Sequence, residues 1–232
     1  MRQLLLLNVI IICFLNACTS KTDEQNADTV ALSADSTVIT KDDWLCVAGE
    51  KAGIIISTTS EQELIDKLGS ANVSAHDTVY GAEGFFTIGT VLYKGTPNEA
   101  HIVWKDTLNF KNPEYVEVGF APPGKENQTK WHTDTGVKAG TTLIELERIN
   151  GGSFKFSGFG WDYGGTVVDW AGGKLADTNN PGLLSVILAY DYENPDLQPM
   201  ADKLLGDSSF DSKDPNAQKL NPVVSHIFIS FR

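Results

Sequence analysis

One local pattern occurs twice in this chain, and that repetition restricts the fold more than any other feature. Gly53 and Gly136 lie 83 residues apart, and the same shift carries Thr58-Thr59 onto Thr141-Thr142 and Gln62 onto Glu145. In both places a hydroxyl residue is followed three positions later by Gln or Glu. That spacing lets side chain and backbone satisfy each other's open groups at a helix start. Apolar residues at helical spacing follow: Leu64, Ile65 and Leu68 in the first copy, Leu143, Leu146 and Ile149 in the second. Gly69 stops the first helix and Asn150-Gly151-Gly152 the second. Strand-like runs surround the helices. Ile54-Ile55-Ile56 precedes the first, and Phe85–Tyr93, Ala100–Trp104 and Tyr115–Phe120 follow it. Lys94–Glu99, with Gly95 and Pro97, reads as a hairpin turn. A duplicated supersecondary unit accounts for the pattern. The expectation is an α+β domain over residues 44–232, with repeat units at about 50–120 and 133–192 and a closing strand at 223–231.

The densest stretch is Thr135–Trp170, which predicts a short strand, a capped helix and two aromatic-rich strands joined through glycines. Within it, Asp162-Tyr163-Gly164-Gly165 reads as a hairpin turn, with Asp162 accepting backbone N–H bonds and Gly165 at positive φ. Beyond it, Leu183–Tyr192 reads as a buried strand, Ala201–Leu205 as a short helix, and Asp207–Asn221 as polar and turn-rich. In the closing strand Val223, Ile227, Ile229 and Phe231 are expected on one face.

The N-terminus carries a different message. Arg2 precedes an apolar run, Leu4–Leu15, broken only by Asn8 and too short to span a bilayer. It ends in Leu15-Asn16-Ala17-Cys18, which resembles the lipobox of bacterial lipoproteins, although Asn16 stands where Ala or Ser is usual. The resemblance implies cleavage after residue 17, lipid on Cys18, and a membrane anchor through that lipid. Thr19 follows the Cys in place of the Asp associated with inner-membrane retention, which points to the outer membrane. Residues 18–43 then form the lipidated Cys and a polar, aromatic-poor tether.

The formal net charge is −12, with 30 acids against 18 Lys and Arg and no basic cluster, which excludes nucleic acid as the expected partner. Of three Cys, only Cys46 would remain unmodified in the mature chain. Set in the apolar Trp44-Leu45-Cys46-Val47-Ala48 run, it reads as a small buried hydrophobe with no basic neighbour to stabilise a thiolate.

Chemistry-bearing motifs are few. There is no GxSxG, no P-loop, no dinucleotide fingerprint, no HExxH and no CxxC, so no metal or cofactor is expected. Asp207–Asp214 lacks the Gly and the bidentate Glu of a calcium loop. His101 and His226 alternate with apolar neighbours and read as sheet residues. Two pairs could carry an alternative, hydrolytic function on glycan or peptide: Asp162 with Asp169, or His132 with Asp134. The candidate binding surface is Trp161, Asp162, Tyr163 and Trp170.

The paired units, Gly53–Gly69 and Gly136–Gly151, resemble tandem-repeat folds of the β-lactamase-inhibitor-protein type and the small outer-membrane assembly lipoproteins that share the unit. Where that family starts its helix with Gly-Met-Thr, this chain has Ile-Ser-Thr-Thr and Ala-Gly-Thr-Thr. The resemblance implies a curved antiparallel sheet with helices on one face, and a non-catalytic domain that binds an envelope protein. A cell-wall glycan is the other partner expected for such an aromatic surface. No partner-binding residue carries over.

Overall fold

The computed structural model describes residues 43–120, 128–176 and 182–232. The signal segment, Cys18, the tether to residue 42 and the Pro122-Pro123-Gly124 stretch lie outside them.

Among the described residues the chain is mixed α+β. It opens with three short strands, β1 (Leu45–Val47), β2 (Lys51–Ala52) and β3 (Ile55–Ile56), and helix α1 (Glu61–Leu68). A meander follows: β4 (Val73–Tyr80), β5 (Phe86–Leu92), β6 (Ala100–Asp106) and β7 (Lys111–Val118). Next come β8 (His132–Thr133), α2 (Leu143–Asn150), β9 (Lys155–Ser157), β10 (Val167–Asp169) and β11 (Leu184–Ala189). The chain finishes with α3 (Gln198–Ala201), β12 (Ser209–Asp211), α4 (Pro215–Leu220) and β13 (Val223–Ser230).

The main sheet is antiparallel, in the order β11-β13-β7-β6-β5-β4. Beyond β11, the β9–β10 hairpin continues the layer through a Thr166–Ile187 bridge and a 2.8 Å bond from Leu188 N–H to the Gly165 carbonyl. β12 pairs with β9 on the hairpin's other side. A small sheet, β3-β2-β1-β8, is antiparallel except for the β1–β8 pair. Among the described residues none of the sheets closes on itself.

Helices α1 and α2 each begin with a complete capping box, but the first sits one residue later than the sequence suggests. Ser60, not Thr59, caps α1, and Glu63, not Gln62, returns the bond to its N–H at 2.9 Å. A carboxylate accepts more strongly than an amide. Gln62 instead donates to Asp66 at 2.9 Å along the helix. In α2 the predicted Thr142–Glu145 pair forms as expected. The helix caps are therefore 82 residues apart rather than 83.

The bonds around these caps come in matching pairs. Thr59 Oγ1 accepts the Ile56 N–H at 2.9 Å, and Thr141 Oγ1 accepts the Lys138 N–H at 3.1 Å. Glu61 N–H donates to Phe110 and Leu143 N–H to Pro222, at 2.9 and 2.8 Å. Asn112 N–H and Val224 N–H return to the Thr59 and Thr141 carbonyls at 3.0 and 2.8 Å. Each helix start is thus fastened to the start of an eight-residue strand, α1 to β7 and α2 to β13, and those two strands are neighbours.

Alternation along the strands sorts the faces. Ala100, Ile102 and Trp104 of β6, Val116 and Val118 of β7, and Ile227 and Ile229 of β13 enter the core. Leu64 and Leu68 of α1 and Leu143 and Leu146 of α2 fill it from the helix side, and Phe154 and Phe156, at β9, extend the same core. The opposite sheet face carries a smaller cluster of Val79, Val91 and Val103 with Tyr115. In β13 the inward residue is Val224 rather than the expected Val223. A bulge at Ser225, opposite Ile187, inserts one residue and shifts the alternation.

Buried polar groups are tied into the core. Trp104 Nε1–H donates to Thr90 Oγ1 at 2.9 Å, and that hydroxyl donates to Glu61 Oε1 at 2.6 Å. Glu61 also meets His76 Nε2 at 3.0 Å. His76 lies in edge strand β4, whose register breaks between Ser74 and Asp77, and its φ is 51°. Lys94 pairs with Asp77 and holds that carboxyl down at about 2, with help from Ser74. A bulge and a charge pair thus blunt the edge against strand addition.

Candidate functional site

Three places on the domain gather side chains that could act on something outside it. The first is formed by two hairpin tips. The β9–β10 tip carries Trp161 and Tyr163, which remain 41% and 45% exposed and meet edge to face with ring centroids 5.3 Å apart. Trp161 keeps its orientation because its Nε1–H donates to the Gly158 carbonyl at 2.8 Å. Gly158 has no room for a side chain, since a Cβ there would sit 2.5 Å from the Gly206 carbonyl oxygen. The predicted turn forms, and Gly165 has φ of +79°. Asp162 does accept a backbone N–H, though from a distant partner: Glu83 donates to its Oδ2 at 2.8 Å.

That bond sets the β4–β5 tip beside the β9–β10 tip. The former carries Phe85 with Tyr80 and Phe86, all largely exposed, and Ile88 behind them. The Tyr80 and Phe86 rings lie 6.5 Å apart across the two strands. Exposed apolar residues scattered singly are ordinary. Five aromatic rings on two adjoining tips form a patch of the kind that partners cover.

The second place is a cleft of about 620 Å³. Asp134, Asp169, Trp170 and Lys174 are among the residues lining it, with Thr133 and Thr135. Trp170 is half-buried against Phe154, ring centroids 5.4 Å apart, and so belongs to this cleft and not to the tip with Trp161. The predicted pairs are accordingly redistributed. Asp162 bonds Glu83 at the tip, whereas Asp169 lines the cleft and accepts the Ala171 N–H at 2.7 Å. His132 is exposed and its Nδ1 lies 2.9 Å from the Lys130 carbonyl, whereas Asp134 faces the cleft.

The third place is one that sequence reading passed over. His101, Glu117 and His226 meet across β6, β7 and β13, with Glu99 alongside. Alternation assigned both histidines to the sheet correctly. The missing signal was Glu117, an acid inside the predicted strand Tyr115–Phe120 whose partners are distant in sequence.

Cys46 is buried, and burial, reinforced by Asp43, pushes its thiol up to about 12. Alkylating reagent should therefore leave Cys46 unmodified in the native protein and label it fully once the chain is unfolded; rapid native labelling would contradict the buried assignment. Asp207–Asp214 serves structure: Asp214 caps α4 through the Asn216 and Ala217 N–H groups. Among the described residues no three His, Cys, Asp or Glu side chains form a group that could hold a metal ion, and no helix is long and apolar enough to cross a membrane.

No protein-family model, no curated protein and no solved structure matches this chain.

Proposed function

We propose that this protein is a lipid-anchored component of the bacterial cell envelope, held to the outer membrane through Cys18, whose domain binds an envelope protein or cell-wall component without chemistry of its own. The observation that carries the binding reading is the pair of exposed aromatic tips joined by the Glu83–Asp162 bond. Trp and Tyr dominate the energetics of protein interfaces because they bury much area for few rotatable bonds. A tether of about 25 residues would have a root-mean-square span of roughly 25–30 Å, so the patch would search for partners close to the membrane.

The two halves of the domain are read as copies of one strand–helix–strands unit on a curved sheet. Support comes from the matched caps and the matched dockings of α1 on β7 and α2 on β13. It also comes from strand order: β4-β5-β6-β7 runs inward to the centre from one side as β9-β10-β11-β13 does from the other.

The test is capture from envelope extract using the Cys18→Ala form, compared with the same form carrying Trp161→Ala and Tyr163→Ala. A partner retained by the first should bind the second at least ~30-fold more weakly, as expected for loss of one or more interface hot spots. Equal retention by both would remove the aromatic tips from the interface. Capture of polysaccharide alone would assign the surface to the wall.

A further inference from the structure

On the sheet face turned away from the helices, Glu117 lies buried between two imidazoles. Its Oε1 is 2.9 Å from His226 Nδ1 and its Oε2 is 3.5 Å from His101 Nδ1. The other ring nitrogen of His101, Nε2, is 2.7 Å from Glu99 Oε1. Phe120 packs against both imidazoles, with centroids 4.3 and 5.2 Å away. The charges acting on His101 are Glu117 from β7 and Glu99 from the turn before β6. Those acting on Glu117 are His101 from β6 and His226 from β13, and Tyr115, two residues away on β7, feels both Glu117 and Glu114.

Counting protons decides the state of His101. A neutral imidazole has one N–H. If it sits on Nε2, the Nδ1 lone pair faces the Glu117 carboxylate oxygen at 3.5 Å; Nδ1 makes no hydrogen bond at that distance, and its contact with Glu117 is favourable only as an ion pair. If it sits on Nδ1, the Nε2 lone pair faces Glu99 at 2.7 Å. Only the doubly protonated ring suits both carboxylates.

The two carboxylates do different structural jobs. Glu99 Oε2 accepts the Gly95 N–H at 2.6 Å and so organises the β5–β6 turn. That turn in turn holds Trp131 Nε1 through the Asn98 carbonyl at 3.0 Å. Glu117 sits where β7 pairs with β13. We propose that the His101–Glu117–His226 cluster is a pH-sensitive latch, in which protonated His101 couples the β5–β6 turn to the β7–β13 seam and loss of its proton uncouples them.

The direction with pH follows from the partners. Burial disfavours the charge on His101, but Glu117 and Glu99 outweigh it, and the imidazole titrates above the ordinary histidine value of 6.5. Burial likewise opposes the charge on Glu117, but bonds from His101 and His226 hold it below the ordinary glutamate value of 4.5. The His101 contribution is complete below about 6.5 and is lost as pH rises through its elevated value. The Glu117 contribution is present above about 4.5 and is lost as pH falls through its depressed value. The latch is closed between these limits and opens on the alkaline side through His101.

Side-chain ¹H–¹⁵N NMR of the full chain tests this, followed from about pH 5 to about pH 9. His101 should still be mostly protonated on both nitrogens at about pH 6.5, where free histidine is half-titrated, and the Gly95 amide should shift with the same midpoint. Glu117→Gln should lower that midpoint by roughly half a pH unit or more. Because a buried substitution could disturb folding, Glu99→Gln, at the partly exposed end, should lower it in the same direction. A midpoint at or below that of free histidine would overturn the latch. So would one unmoved by Glu99→Gln, or a Gly95 amide indifferent to the transition.

Discussion

Alanine at Gly165 is expected to destabilise the domain by ~4 kcal/mol or more, enough to unfold a domain of ordinary stability or leave it marginal. Gly165 has φ of +79°, a conformation that costs an L-residue about 1–2 kcal/mol. The larger penalty is steric. A Cβ there would stand 1.9 Å from the Leu188 carbonyl oxygen, against backbone that no rotamer change can move. Relief requires β10 to lift from β11. That breaks the bond from Leu188 N–H to the Gly165 carbonyl, 2.8 Å, and the Thr166–Ile187 bridge beside it. Urea denaturation of the variant should show a much lower midpoint, and partner capture should fail with it because the Trp161–Tyr163 tip loses its base. A midpoint within error of the parent would mean that the hairpin does not pack on β11 in this way.

The second large effect is expected at Asn150. This side chain closes α2 and is fully buried. Its Nδ2 donates to the Trp170 carbonyl at 3.0 Å and to the Gly152 carbonyl at 3.2 Å, and its Oδ1 accepts the Leu175 N–H at 3.1 Å. The strand end, the helix end and the 173–175 turn therefore meet on one amide. Asn150→Leu fills the space but leaves those backbone groups unpaired in the interior, at ~1–3 kcal/mol each, for a loss of ~3–5 kcal/mol. Because Trp170 lines the cleft, its fluorescence should change in the native state well before the unfolding transition. An unaltered native spectrum with a small stability loss would show that Trp170 is positioned by Phe154 alone.

The elements legible in the sequence were those with local signals. The helices announce themselves by caps, apolar spacing and Gly stops, and the first cap was misplaced by one residue because two hydroxyls, Thr59 and Ser60, stand side by side. The choice fell to whichever had an acid three residues later. Strands β5, β6 and β7 were legible from β-branched and aromatic runs. β4 was not, because Ser74, His76, Asp77 and Thr78 make it an edge strand whose polar residues face water or the Glu61 network. β12 and α4 were hidden within the polar Asp207–Asn221 stretch. At the candidate site, Trp161 and Tyr163 could be picked out as a local cluster. Their companions Tyr80, Phe85 and Phe86 could not, since only folding brings Glu83 beside Asp162. The same holds for Glu117 and its two histidines. Spacing along the chain carries no information about which strands become neighbours.

The position of β13 has a consequence for the order in which the domain can form. It is the last of the described strands in chain order, yet it lies inside the main sheet, flanked by β7 and β11. Until residues 223–230 emerge, neither flanking strand has its neighbour, Glu117 lacks His226, and α2 has no strand to dock on. The β4–β7 meander can assemble as it is made, but the rest must wait. Closure then depends on pairing segments more than a hundred residues apart, β7 with β13, a slow search by the standards of local folding. The domain therefore stays unfinished until β13 has been made, and deletion of residues 223–232 should leave half a sheet rather than a slightly shortened one.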